Sequence, residues 1–190
     1  MFINTLIKDF DDTLRKYNRQ NYLKLQPSLP NDKIELYLKE IKVVNEDFRA
    51  LVRWKNGFDF SDGEDLTYQL FDCGALLSME HMYKLTMGDS NLWAKNFIPL
   101  ITDGSGDFLL FNNSKKHGYG KLHLYSVSRL FIDSPISYYD SIATMLKTTI
   151  EAYQTKALKY DSGDAWLNQE FQLYRTIAIK HNPKSQYWTR

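Results

Sequence analysis

The sequence lacks several features that would place it in well-marked classes. It has one cysteine, Cys73, among 190 residues, so no internal disulfide can form and a reducing compartment is expected. It has no apolar run of the roughly 18–20 residues that a membrane-crossing helix needs. Its first residues, Met1-Phe2-Ile3-Asn4-Thr5-Leu6-Ile7-Lys8-Asp9, lack a basic stretch followed by a long apolar one, which reads as no signal peptide. Neither sign of charge is in excess: 24 Lys and Arg against 23 Asp and Glu leave +1. Such a chain has no global positive field, so direct nucleic-acid binding is not expected. These absences together predict a soluble cytoplasmic protein with no membrane partner.

Catalytic signatures are missing too. There is no GxxxxGK[ST], no GxGxxG after a strand, no HExxH and no GxSxG. The four histidines, His81, His117, His123 and His181, pair neither with one another nor with Cys73 at metal-ligand spacing. Cys73 beside Gly74 fits a small buried apolar residue better than a nucleophile. Asp103-x-Ser105-x-Asp107 has the alternating oxygens that open an EF-hand loop. The sixth position is Phe108 where glycine is needed, and the twelfth is Ser114 where a bidentate glutamate is needed. A turn fits better, with Gly104 and Gly106 supplying positive φ and the aspartates bonding turn amides. No enzyme activity, metal or cofactor is expected.

What is abundant is aromatic: 13 Tyr, 11 Phe and 4 Trp. Apolar residues recur at helical spacing in Ile3, Leu6, Ile7, Phe10, Leu14 and Tyr17, then in Ile34, Leu38 and Ile41 after Pro27 and Pro30. Asn31 or Asp32 is the expected cap of that second helix. Asn45 precedes a third, carrying Phe48, Leu51 and Val52, which Asn56-Gly57 ends. Leu66 to Phe71 reads as extended, and Ser78 caps a helix from Met79. Phe97 to Ile101 and Phe108 to Phe111 form a hairpin about the Asp103–Asp107 turn, with Pro99 near the start of the first strand. Lys121 to Tyr125 alternates as a strand. Tyr139, Ile142, Leu146, Ile150 and Tyr153 mark a long helix, and Leu167, Phe171, Tyr174 and Ala178 a last one, stopped at Asn182-Pro183. Helices, then strands, then helices predict an α+β fold with a mainly antiparallel sheet flanked by helices.

Ordered motifs in this chain resemble the SUKH superfamily, the group of the yeast Smi/Knr-type cell-wall regulator and many bacterial immunity proteins. The first is Phe48 to Gly57, a helix ending in aromatic-x-Asn-Gly (Trp54-Lys55-Asn56-Gly57) after the proline-preceded helix. The second is Ile98-Pro99-Leu100, the turn Asp103-Gly104-Ser105-Gly106-Asp107, and the hydrophobic strand from Phe108. Tyr139-Asp140-Ser141-Ile142 and the tail Asn182-Pro183 with Tyr187-Trp188 are similar as well. Val44-Asn45 stands where the family has Leu-Pro. The resemblance implies one SUKH-like domain over 1–190, with a core of about 25–155 and a C-terminal helical extension of about 156–190. It also implies binding rather than catalysis. Bacterial members are antidotes to toxins, often nucleases, encoded by a neighbouring gene; a general intracellular scaffold or regulator is the alternative the same fold allows.

For such a protein the family motif residues Asn56, Gly57, Pro99, Asp103, Gly104, Gly106 and Asp107 read as structural. The expected partner surface is the segment Phe58 to Asp65. There Asp59, Asp62, Glu64 and Asp65 give four acids, with Phe58 and Phe60 among them, able to mimic phosphate toward a basic cleft. The alternative is a connecting loop whose phenylalanines fold back into the core. Trp54 is either an exposed anchor or packs a helix end onto the sheet, and Trp188 is expected to dock the tail.

Overall fold

The computed structural model describes residues 2–58, 68–88, 92–115, 117–129, 131, 134–162 and 166–190. Helix α1 (Ile3–Tyr17) buries the stripe Leu6, Ile7, Phe10, Thr13 and Leu14, and Arg15 and Lys16 in its last turn suit the negative end of its dipole. Asn18 breaks the helix (φ −142°, ψ 50°) and a short α2 (Arg19–Lys24) follows. The sequence pattern does not announce α2; its short, polar run is held by the buried Asn21 and Tyr22. In α3 (Asn31–Glu40) the cap position falls to Pro30, with no side-chain hydrogen bond. Asn31 and Asp32 are therefore the first helical residues rather than the cap. In α4 (Glu46–Trp54) the Asn45 side chain does cap, accepting from the Phe48 amide at 3.0 Å.

The main sheet has order β1-β2-β3-β4-β5 and is antiparallel throughout. Strand β1 (Ala75–Leu76) is separated from β2 (Phe97–Thr102) by helix α5 (Met79–Met87), and β3 (Phe108–Asn112), β4 (Leu122–Tyr125) and β5 (Ile136–Tyr139) follow as a meander. The Ser78 hydroxyl caps α5 by accepting from the His81 amide. Pro99 is the third residue of β2, at a register shift between Pro99 and Ile101. Strand β1 pairs only with Ile101 and Thr102, so the missing N–H of Pro99 costs no bond to that strand. Tyr68 to Leu70 forms no strand; the chain instead turns tightly through Phe71–Gly74, and Leu66 and Thr67 lie outside the described residues.

Tyr139 is the last residue of β5, not the first of a helix. Its side chain still falls on the 3.6-residue stripe of Ile142 and Leu146, which is why periodicity alone joins them. Helix α6 (Ile142–Gln154) begins at a capping box in which Ser141 and Thr144 satisfy each other's amides. After it comes a hairpin of β6 (Leu158–Asp161) and β7 (Trp166–Gln169), then α7 (Phe171–His181). The C-terminal part is thus strand and helix together, and Leu167 belongs to β7. Helices α1 and α7 both pack on α6. Phe48 of α4 meets Phe111 of β3 at 5.0 Å, which joins the helical layer to the sheet. Among the described residues, no helix is long and apolar enough to cross a membrane.

Candidate functional site

The aromatic-x-Asn-Gly end of α4 is a junction of three segments. The Asn56 side chain is buried. Its amide donates to Gln26 Oε1 at 2.8 Å and Glu80 Oε2 at 3.1 Å, and its oxygen accepts from the Met79 amide at 2.9 Å, at the start of α5. Backbone bonds run beside it, from the Gln26 amide to the Gly57 carbonyl (2.9 Å) and from the Asn56 amide to the Gln26 carbonyl (3.1 Å). Gly57 has φ +66°, and a Cβ there would lie 2.4 Å from the Leu77 carbonyl oxygen and 2.6 Å from that of Leu76. Only glycine fits that approach.

The segment expected to meet a partner starts from this junction. The Phe58 amide donates to the Leu76 carbonyl at 2.9 Å. Its side chain is only 1% exposed and stacks on Tyr68, with ring centroids 5.1 Å apart. Phe58 is thus packed in the core, as the alternative of phenylalanines folded back into the core expects. Asp59, Phe60, Asp62, Glu64 and Asp65 lie outside the described residues. Where the chain returns, the Lys24 ammonium sits 5.8 Å above the Tyr68 ring. The Asn18 and Asn21 side chains donate to the Gln69 carbonyl at 2.7 and 3.0 Å, and the Tyr153 hydroxyl donates to the Leu70 carbonyl at 3.0 Å.

Trp54 is half-buried. Its indole N–H donates to Asp11 Oδ1 at 2.7 Å and its ring meets Phe10 at 5.3 Å. It packs the end of α4 onto α1 rather than onto the sheet. Burial tends to raise the pKa of Asp11, but hydrogen bonds from Arg15, Trp54 and Tyr22 prevail and hold it low.

In the second motif, Asp103 closes its own turn. Its Oδ1 accepts from the amides of Ser105 (2.9 Å) and Asp107 (3.1 Å), and its Oδ2 from the Ser105 hydroxyl (2.6 Å). Asp107 reaches the next turn, accepting from the Val127 amide at 2.9 Å and the Ser126 hydroxyl at 2.6 Å. Gly104 and Gly106 have φ +77° and +108°. Both aspartates thus serve the backbone, as the turn interpretation of the motif expects. Among the described residues, no group of three or more His, Cys, Asp or Glu side chains is placed to hold a metal ion.

A polar cluster that no local pattern announces lies at the Phe71–Gly74 turn. The hydroxyls of Tyr138 and Tyr139 donate to Asp72 Oδ2 and Oδ1 at 2.6 and 2.5 Å, and Tyr139 shares a 2.6 Å hydrogen bond with Tyr174. Burial pushes the Asp72 carboxyl up in pKa, and the tyrosine hydrogen bonds offset part of this. Burial, and next the Asp72 carboxylate, push the Cys73 thiol well up. It therefore stays protonated at neutral pH and is a poor nucleophile.

A family model described as the SMI1 / KNR4 family (SUKH-1) matches residues 29–148. No curated protein matches the chain.

Proposed function

From the premise that the chain belongs to the SMI1 / KNR4 family (SUKH-1), we propose that it is a non-catalytic binding protein that neutralises a cognate toxin by direct contact. The observation that carries this reading is where the motif polar groups point. Asn56, Asp103 and Asp107 all make their hydrogen bonds within the fold, with backbone amides and neighbouring side chains. Groups engaged in this way serve a scaffold. The raised thiol pKa of Cys73 supports the same view.

Selectivity then belongs to the outer surface. The proposed contact is the acidic segment Asp59, Phe60, Asp62, Glu64 and Asp65, whose flanking residues Phe58 and Tyr68 stack on each other. Its four acids complement a basic, nucleic-acid-binding cleft of the kind a nuclease toxin carries, and charge of this kind governs partner choice and association rate.

The test is co-expression with the product of the adjacent gene. Rescue of growth together with co-purification of both proteins is the expected result. Co-purification with a non-toxic neighbour would favour a regulatory scaffold instead, and the absence of both rescue and co-purification would count against the proposal.

A further inference from the structure

Strand β5 pairs with β4 on one side. Along its other edge runs the C-terminal segment that follows α7. The Tyr187 amide and the Ser185 hydroxyl both donate to the Ser137 carbonyl at 3.1 Å. The Asp140 amide donates to Asn182 Oδ1 and the Lys184 amide donates to Asp140 Oδ2, both at 3.0 Å. These bonds occupy groups that an added strand would otherwise take, which is how an open sheet edge is kept from pairing with other chains.

The same segment reaches further inward through aromatic rings. Trp188 is 1% exposed. Its ring lies 4.8 Å from Tyr138 and 5.5 Å from Tyr174, and Tyr187 lies 4.6 Å from Tyr138. Tyr138 is therefore gripped by the tail at its ring while its hydroxyl holds Asp72. Tyr174 is gripped likewise, and its hydroxyl meets Tyr139, the other donor to Asp72. Asp72 sits in a turn closed by bonds from the Leu70 and Phe71 amides to the Gly74 carbonyl and from the Gly74 amide to the Phe71 carbonyl, each 3.1 Å. A carboxylate among aromatic rings is tolerated only while hydroxyls point at it.

We propose that residues 182–188 form a strap that covers the β5 edge and, through Tyr138 and Tyr174, holds the Asp72 turn closed. Docking of the strap and closure of the turn are then one coupled event, although the two lie more than a hundred residues apart in sequence. Release of the strap uncovers the Ser137 edge and loosens the turn together. The strap lies outside the family match at 29–148, and the turn within it. The device thus couples a segment beyond the family match to the matched core, whatever partner that core binds.

The test is native-state hydrogen exchange on the full chain, comparing wild type with Tyr138→Phe and Trp188→Ala. Tyr138→Phe removes one hydroxyl and leaves the ring. It should speed exchange at the Leu70, Phe71 and Gly74 amides about five- to tenfold, the range that loss of one hydrogen bond allows, without changing the amides of β3. Trp188→Ala should speed the Tyr187 amide and the turn amides together, beyond any change in β3. Faster exchange of the tail alone, with the turn unchanged, would overturn the coupling. Should Trp188→Ala speed every amide equally by unfolding the protein, Tyr174→Phe decides. A selective rise at the turn supports the strap, and its absence refutes it.

Discussion

Replacing Gly57 by alanine tests whether the Asn-Gly motif is architecture. Two costs combine. The backbone sits at φ +66°, a left-handed conformation that costs an L-residue roughly 1–2 kcal/mol. The new Cβ would also press on two backbone carbonyls at 2.4 and 2.6 Å. The Leu76 carbonyl accepts the Phe58 amide, so moving it disturbs the β1 edge. Relief of such overpacking typically costs about 1–3 kcal/mol. The total is about 2–5 kcal/mol, a large share of the stability of an ordinary domain. Gly120 supplies the control. It has φ +81°, and its nearest neighbour would be the Asn45 side-chain nitrogen at 3.5 Å, an ordinary contact. Gly120→Ala should therefore cost only the backbone part. Urea unfolding reads both, and the midpoint of Gly57→Ala should fall below that of Gly120→Ala by about 1 M for a slope of 1–3 kcal/mol/M. Equal midpoints would refute the close-approach argument and with it the structural role of the motif.

Other substitutions probe the same scaffold. Asn56→Ala removes three hydrogen bonds and leaves the Met79 amide unpaired; a loss of about 2–4 kcal/mol is expected, read by chemical unfolding. Asp107→Ala frees the Val127 amide and Ser126 hydroxyl, for a loss of about 1–3 kcal/mol and faster exchange at Val127. His123 gives a pH signature. Burial first, and Lys121 second, push its pKa from 6.5 down to about 4. Between those values the unfolded chain binds a proton that the folded one does not. Stability should therefore fall as pH drops from about 7 toward 4, by about 1–2 kcal/mol after discounting for solvent screening. His123→Gln should remove that portion of the fall; identical pH profiles for the two proteins would refute the assignment.

How much the sequence announces depends on the range of the interaction. Helix α1, the Asn45 and Ser78 caps and the β2–β3 hairpin are visible because periodicity, capping and turn chemistry are local. The strand carrying Tyr138 and Tyr139 has no turn signal next to the helix stripe, and Tyr139 extends that stripe by coincidence of spacing. Helix α2 and the β6–β7 hairpin are too short for a period to show. The placement of Phe58 is settled by its stacking on Tyr68 across the acidic segment, which alternation of acids and aromatics cannot predict. Least visible is the Asp72 cluster, whose partners lie 66 and 67 residues away. No spacing rule links an aspartate to tyrosines on a distant strand.

The proposed function, a scaffold whose acidic segment binds a toxin, is tested most directly by titrating the purified protein against the product of the adjacent gene at low and high salt. Wild type should form a tight complex that weakens as salt rises. Asp62→Lys combined with Asp65→Lys should bind about tenfold or more weakly and lose much of the salt dependence, with an unchanged unfolding midpoint. Unaltered affinity and an unaltered salt response in the doubly reversed protein would contradict the account.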